Sequence, residues 1–375
     1  MSQPSQEERR RRKLLTIGDE RVANTASNDL PSLFPGEDMD FNLHEFKKNF
    51  NVQFHTSSAH DSTFSLTGLD TSLANAFRRI CISEIPTVAI EDVYIMQNNG
   101  VMQDEVLAQR LGLIPLKGSP SGLRWLRWYI KPSPDDPDAF VTPPSDHNVV
   151  VMKLNVKCEW REGGLQLAAK GETDPDKLYK NHAVYAKHLK YVPTGKQEEM
   201  FKDGPIEAVH PDILITKMRP GQELDLMVHA MKGIGADHAK FSPVATASYR
   251  LLPTIDITSP ILSAEAKKFA RCFPKGVIAL APVTTEQSRK DPALKDHEGE
   301  LHAVVSDPMR DTVSRECLRH DEFKNKVKLG RVRDHFIFSV ESTGQWESDE
   351  LFLESVRLLK VKAQRVRRGL GELMK

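Results

Sequence analysis

An α+β chain of about two domains is what the sequence predicts, on three observations. Its 375 residues exceed a single domain at roughly 150 residues apiece. Residues 149–253 hold a run of strand-like segments: VVVMKLNVKCEW, AVYAKHLKYV, and ELDLMVHAMK after the Pro220–Gly221 turn. Stripes of helical period stand before and after that block, the longest of them closing the chain. Apolar residues make up 39%, enough for a core with polar loop or tail left over. Lys plus Arg total 52 and Asp plus Glu total 52, so there is no surplus of positive charge of the kind that drives a free-standing nucleic-acid module. The four cysteines (Cys81, Cys158, Cys272, Cys317) are isolated, with no CxxC pair, which disfavours a disulfide framework and a zinc site. No stretch approaches 18 uninterrupted apolar residues and the N-terminus has no apolar signal core, so a soluble, intracellular, reduced protein is expected.

Taken in order, residues 1–40 read as a disordered or extended tail. The segment is polar, carries an unbroken basic run from Arg9 to Lys13, and is punctuated by Pro31, Pro35 and Gly36. The run suits a nuclear-import-like or phosphate-touching patch or, in preference, a solvated disordered arm. Order is expected from Phe41. VQFHTS and STFSL are two strand pieces, and Gly68 breaks the pattern. Asp70 is placed to cap a helix whose stripe is Leu73, Ala76, Phe77, Ile80 and Cys81, ended by Pro86. Arg78 and Arg79 flank that stripe, which suits a helix wedged between partners or, equally simply, two solvated arginines.

TVAIEDVYIM is the next strand, followed by a turn at Asn98–Gly100 and a short helix, DEVLAQRL, closed by Gly112 and Pro115. Residues 118–148 are rich in proline. Within them LRWLRWYIK is read as a strand whose indoles cap a core edge, in preference to a base-stacking surface. Residues 286–302 read as an exposed connection. HFIFSV alternates Phe336, Phe338 and Val340 on one face, and Gly344 ends that strand. Ser348 is placed to cap the last helix, with Asp349 and Glu350 at the positive end of its dipole and Lys360, Lys362, Arg365, Arg367 and Arg368 further on. Its stripe, Phe352, Val356, Leu359, Ala363, Val366, Leu370 and Leu373, steps 4, 3, 4, 3, 4, 3. That is a heptad seam, to be covered by a partner helix or by the chain itself.

Catalytic constellations are poor. The two histidines of HEGELH (297–302) are five apart, about 140° round a helix, and cannot share a metal. GIGADH lacks the third glycine of a dinucleotide fingerprint, and neither GxxxxGK[ST] nor GxSxG occurs. The acids of PDDPDAF (134–140) lie in a Pro-rich loop, where solvated carboxylates are commoner than a Mg²⁺ site. Cys317 and His320 form an i,i+3 pair with no visible orienting group. No catalytic, cofactor or metal residue is assigned.

LANAFRRICISEIP followed by QDEVLAQRLGLIPL resembles the signature of the α-type subunits of DNA-directed RNA polymerases. VYAKHLKYVP, RPGQELDLMVHAMKGIGADHAKFSPVATASYRLLP and FSVESTG with the final helix continue the likeness in the family's order. DPMRDTVSRECLRHDEFKNKVKLGRVRDHFIFSVESTG (307–344) is similar to the α-like subunits shared by polymerases I and III, and the likeness runs from about 41 to 373. It implies an α-type dimerisation domain split between 41–93 and 247–375, around an inserted, mainly β domain at 94–246. It also implies a non-catalytic assembly subunit, nuclear and nucleolar, serving rRNA, 5S rRNA and tRNA transcription. A smaller α-like subunit is expected on Phe352, Val356, Leu359, Ala363, Val366 and Leu370, and the two largest subunits on Asn75, Arg78 and Arg79. Other polymerase subunits are further partners, with DNA met only through the complex and no membrane involved. Relatives in polymerase II carry a cysteine cluster for zinc and some archaeal ones iron–sulfur cysteines. Between Gly118 and Tyr185 this chain has Cys158 alone, so neither zinc nor an iron–sulfur cluster is expected.

Overall fold

The computed structural model of the chain describes residues 13–23, 41–130, 141–290 and 292–374. Arg9–Arg12 of the basic run and the acidic loop 134–140 lie outside the described residues. The chain divides into two compact units. One gathers the residues up to His55 with Thr63–Ala74 and Tyr249–Phe338; the other gathers Thr56–Ser62, Asn75–Ser248 and the residues from Ser339 onward.

The first unit is built on a sheet in the order Val22–Ala23, Leu14–Ile17, Val327–Ser342, Asp61–Thr67, Asn51–Ser57, with Val244–Ile257 also pairing with Val327–Ser342. Phe64 and Phe338 stack with centroids 5.4 Å apart, and Tyr249 meets Phe336 edge-on at 5.3 Å. A second apolar cluster gathers around Phe269, Phe273, Val277, Cys317, Phe323 and Leu329. Gly68, at φ +73°, closes the approach of two segments here: a Cβ would fall 2.5 Å from the Asn49 carbonyl oxygen.

The second unit holds an antiparallel sheet in the order Lys190–Val192, Val149–Lys157, Glu223–Gly233, Thr87–Asn98. Along Glu223–Gly233 buried and half-buried residues alternate, as a period of two requires when one face takes the core. The helix Asp104–Gly112 packs Leu107 and Leu111 into that unit's core.

Four local expectations are corrected. Leu14–Ile17 is a strand, not tail: it pairs antiparallel with Leu329–Val332, and Ile17 is buried among the Phe269 cluster. Four consecutive β-compatible residues with one inward apolar side chain suffice to add a strand to an existing sheet. The described part of LRWLRWYIK is not a strand: Ser119 accepts from the Gly122 N–H and Pro120 presets the backbone for a helix over Pro120–Trp125, and Leu126–Ile130 is irregular. The connection 286–302 contains the helix Thr285–Lys290 and the start of the strand Leu301–Val305, paired with Ile278–Pro282. The strand around HFIFSV begins at Val327, and it buries Ile337 as well as Phe336, Phe338 and Val340.

Candidate assembly surfaces

Two helices of the second unit carry the residues singled out in the sequence: the arginine helix, Thr71–Ser83, and the terminal helix, Ser348–Leu373. Ser348 is not a cap. It is the first helical residue and fully buried, donating to the Ser58 carbonyl at 2.6 Å and sharing a hydrogen bond of 2.5 Å with the Ser62 hydroxyl. Glu347 holds the cap position without a side-chain bond to the helix.

The first two turns of the terminal helix are rooted in the chain itself. Leu351 and Phe352 are buried, and the Phe352 ring meets Phe77 of the arginine helix edge-on at 5.4 Å. Cys81 lies against the Leu351 carbonyl, and burial pushes its thiol up to about 11. Glu354, within the buried face, receives Arg124 at 2.9 Å, and the Arg124 guanidinium also lies over the Trp346 ring. Trp346 donates from its indole to the Pro86 carbonyl at 3.2 Å. Lys362 is held by Glu84 at 2.6 Å, beyond the end of the arginine helix. Nothing in the sequence marked Glu354 or Trp346, or pointed Arg124 to a carboxylate, since a carboxylate near an apolar stripe reads as solvated until its partner, 230 residues away, is placed beside it.

Past Phe352 the stripe changes character. Val356 is 40% exposed, Leu359 half-buried, Ala363 exposed, Val366 63%, Leu370 56% and Leu373 85% exposed. Full burial of the seam by the described residues of its own chain therefore stops at Phe352, which belongs to the chain's own core and not to an open interface. Arg78 is half-buried and chelates the Asn75 side-chain oxygen through Nε and Nη2 at 3.1 and 2.9 Å, so the pair is presented as one rigid polar edge. Arg79 is exposed, with no carboxylate partner among the described residues.

The would-be catalytic groups are dispersed. Cys317 is wholly buried and its thiol is pushed up to about 12, chiefly by that burial, while His320 packs on the Phe323 ring. His297 faces Glu300, and His302 is bonded to the Ala281 carbonyl. Cys158 rests against the Met218 carbonyl. No helix among the described residues is long and apolar enough to cross a membrane.

Residues 63–363 match the family described as the RNA polymerase Rpb3/Rpb11 dimerisation domain, and the chain belongs to that family. Within it, the chain is 48% identical to the "DNA-directed RNA polymerases I and III subunit RPAC1" of Saccharomyces cerevisiae, covering 92% of this chain and 94% of that protein. The Homo sapiens protein of the same name is 40% identical over 94% of each chain. "DNA-directed RNA polymerases II, IV and V subunit 3" of Arabidopsis thaliana stands at 34%, over 81% of this chain and 86% of its own. The drop in identity and coverage falls between those two subunit types.

Proposed function

We propose that the chain is the non-catalytic assembly subunit common to RNA polymerases I and III, working in the nucleus and, through polymerase I, in the nucleolus. It would serve rRNA, 5S rRNA and tRNA synthesis without carrying a catalytic group, zinc or an iron–sulfur cluster of its own, and would meet DNA only through the complex. The observation that carries the reading is the apolar seam Val356–Leu373, left open along most of a rooted helix. A soluble protein holds such a stripe in water only if a partner covers it. In this reading a helix of a smaller α-like subunit lies on Val356, Leu359, Ala363, Val366 and Leu370. Asn75, Arg78 and Arg79 face the two largest subunits, where charged and hydrogen-bonding groups fix register and orientation more than bulk affinity.

The test is coexpression with the smaller subunit. Val366→Asp with Leu370→Asp is expected to abolish the heterodimer, and Arg78→Glu with Arg79→Glu to leave the heterodimer intact while losing the large subunits. Wild-type pairing in the first variant, or simultaneous loss of both associations in the second, would overturn the respective assignment.

A further inference from the structure

The first unit carries an open sheet edge beside an unbalanced patch of positive charge. The strand Ile278–Pro282 pairs with Leu301–Val305 on one side, and on the other only its first residue, Ile278, is engaged, in a bridge with Lys275. Ala303, opposite Leu280, sends its N–H to the Ile261 carbonyl at 3.0 Å, away from its partner strand. In an antiparallel ladder this makes Leu280–Ala303 a non-hydrogen-bonded pair, so the N–H and C=O of Leu280 also point outward, to the free side. No backbone group among the described residues receives them. The edge sequence, IALAP, contains none of the charged residues by which natural sheets blunt an open edge, and Leu280 is 37% exposed.

Along this edge lies a cavity of about 610 Å³ lined by Lys267, Arg271, Lys275, Phe273, Ile278 and Leu280 among others, with no carboxylate in its wall. Lys267 and Arg271 stand one turn apart on the helix Ser263–Arg271. Their neighbours are neutralised within the chain: Lys268 by Glu322 at 2.7 Å, Lys326 by Glu265 at 2.6 Å and Arg310 by Asp307 at 3.1 Å. Lys267, Arg271 and Lys275 have no acidic partner among the described residues. The three cations that face the cavity are thus the ones left unpaired.

We infer that this edge takes an extended acidic segment of a partner protein, added as a third strand next to Ile278–Pro282. Main-chain bonds to Leu280 supply the anchor, alternate apolar side chains enter over Phe273 and Ile278, and carboxylates meet Lys267, Arg271 and Lys275. The apolar floor and outward backbone groups favour a polypeptide over nucleic acid, because the cavity wall offers no exposed aromatic face for a base.

The surface is distinct from the seam; only the choice of probe rests on the polymerase reading. The tagged full-length chain is compared free and in the purified assembly by hydrogen exchange, with zero-length carbodiimide crosslinking of the assembly. The Leu280 amide is expected to gain about tenfold or more protection on assembly. Lys267 or Lys275 is expected to couple to Asp or Glu of a single partner segment. Both signals should be lost in a Lys267→Glu, Arg271→Glu, Lys275→Glu variant whose exposed sites leave folding intact. Equal Leu280 exchange in the two states, or protection that nuclease digestion removes, overturns the inference. Failure to recover any assembly is a failure of the polymerase reading and is seen before exchange is measured.

Discussion

Single residues in this chain owe their roles to what lies beside them. Asp70 accepts the Ser72 N–H at 2.9 Å and also the Ser72 hydroxyl, and these bonds, the hydroxyl first, hold its carboxyl below the ordinary value. Its folded pKa being depressed, the stabilisation is fully present above the unfolded value near 3.8 and is lost as pH falls through the folded value. Asp70→Ala should therefore cost about 1 kcal/mol at neutral pH. Urea unfolding at a series of pH values should show that gap narrowing below the unfolded value; a gap that widens in acid would contradict the capping account. Arg124 and Glu354 pose a different case. Arg124 is half-exposed but Glu354 is buried, so Arg124→Ala should cost about 1–3 kcal/mol, chiefly by leaving the carboxylate with only the longer pairing to Arg357 at 3.8 Å. Arg124→Ala combined with Glu354→Leu should recover part of that loss. Equal destabilisation in the single and double variants would mean that the pair contributes through packing alone. The Cys317 thiol, pushed up by burial, should resist alkylation in the folded chain and react only after unfolding.

At the scale of elements, the terminal helix is two devices in one. Its first turns are core and its later turns are surface, so substitutions along one stripe should separate cleanly. Phe352→Ala, which removes a buried ring packed on Phe77, should destabilise the isolated chain by about 3–5 kcal/mol. Val366→Asp, at a largely exposed position, should change its stability by no more than about 0.5 kcal/mol. A seam covered by the chain itself would give similar losses at both. The period of the stripe was readable from the sequence, but the point where burial stops was not, because it depends on Phe77 arriving from a distant segment. The same holds for the strands. VQFHTS, STFSL and ELDLMVHAMK announced themselves by composition and alternation, and each is a strand. Leu14–Ile17 did not, since four residues beside a basic run have no period of their own and acquire a partner only through Leu329–Val332. LRWLRWYIK misled because alternating Arg and Trp imitates a strand, while the deciding signal was the Ser119–Pro120 start just before it.

For the whole molecule, local pattern supplied elements, and their long-range order made the family recognisable. Arg78 and Arg79 were legible as two arginines flanking an apolar stripe, whereas the Asn75–Arg78 chelate and the Glu84–Lys362 tie required the fold. The account's central claim is that this chain is an assembly platform shared by two polymerases. The most direct test is a tagged pull-down of the full chain from nuclear extract, with subunit masses read by mass spectrometry. The account predicts the large subunits of polymerases I and III together with one small α-like chain. Recovery of polymerase II subunits in their place, or of the chain alone, would contradict it.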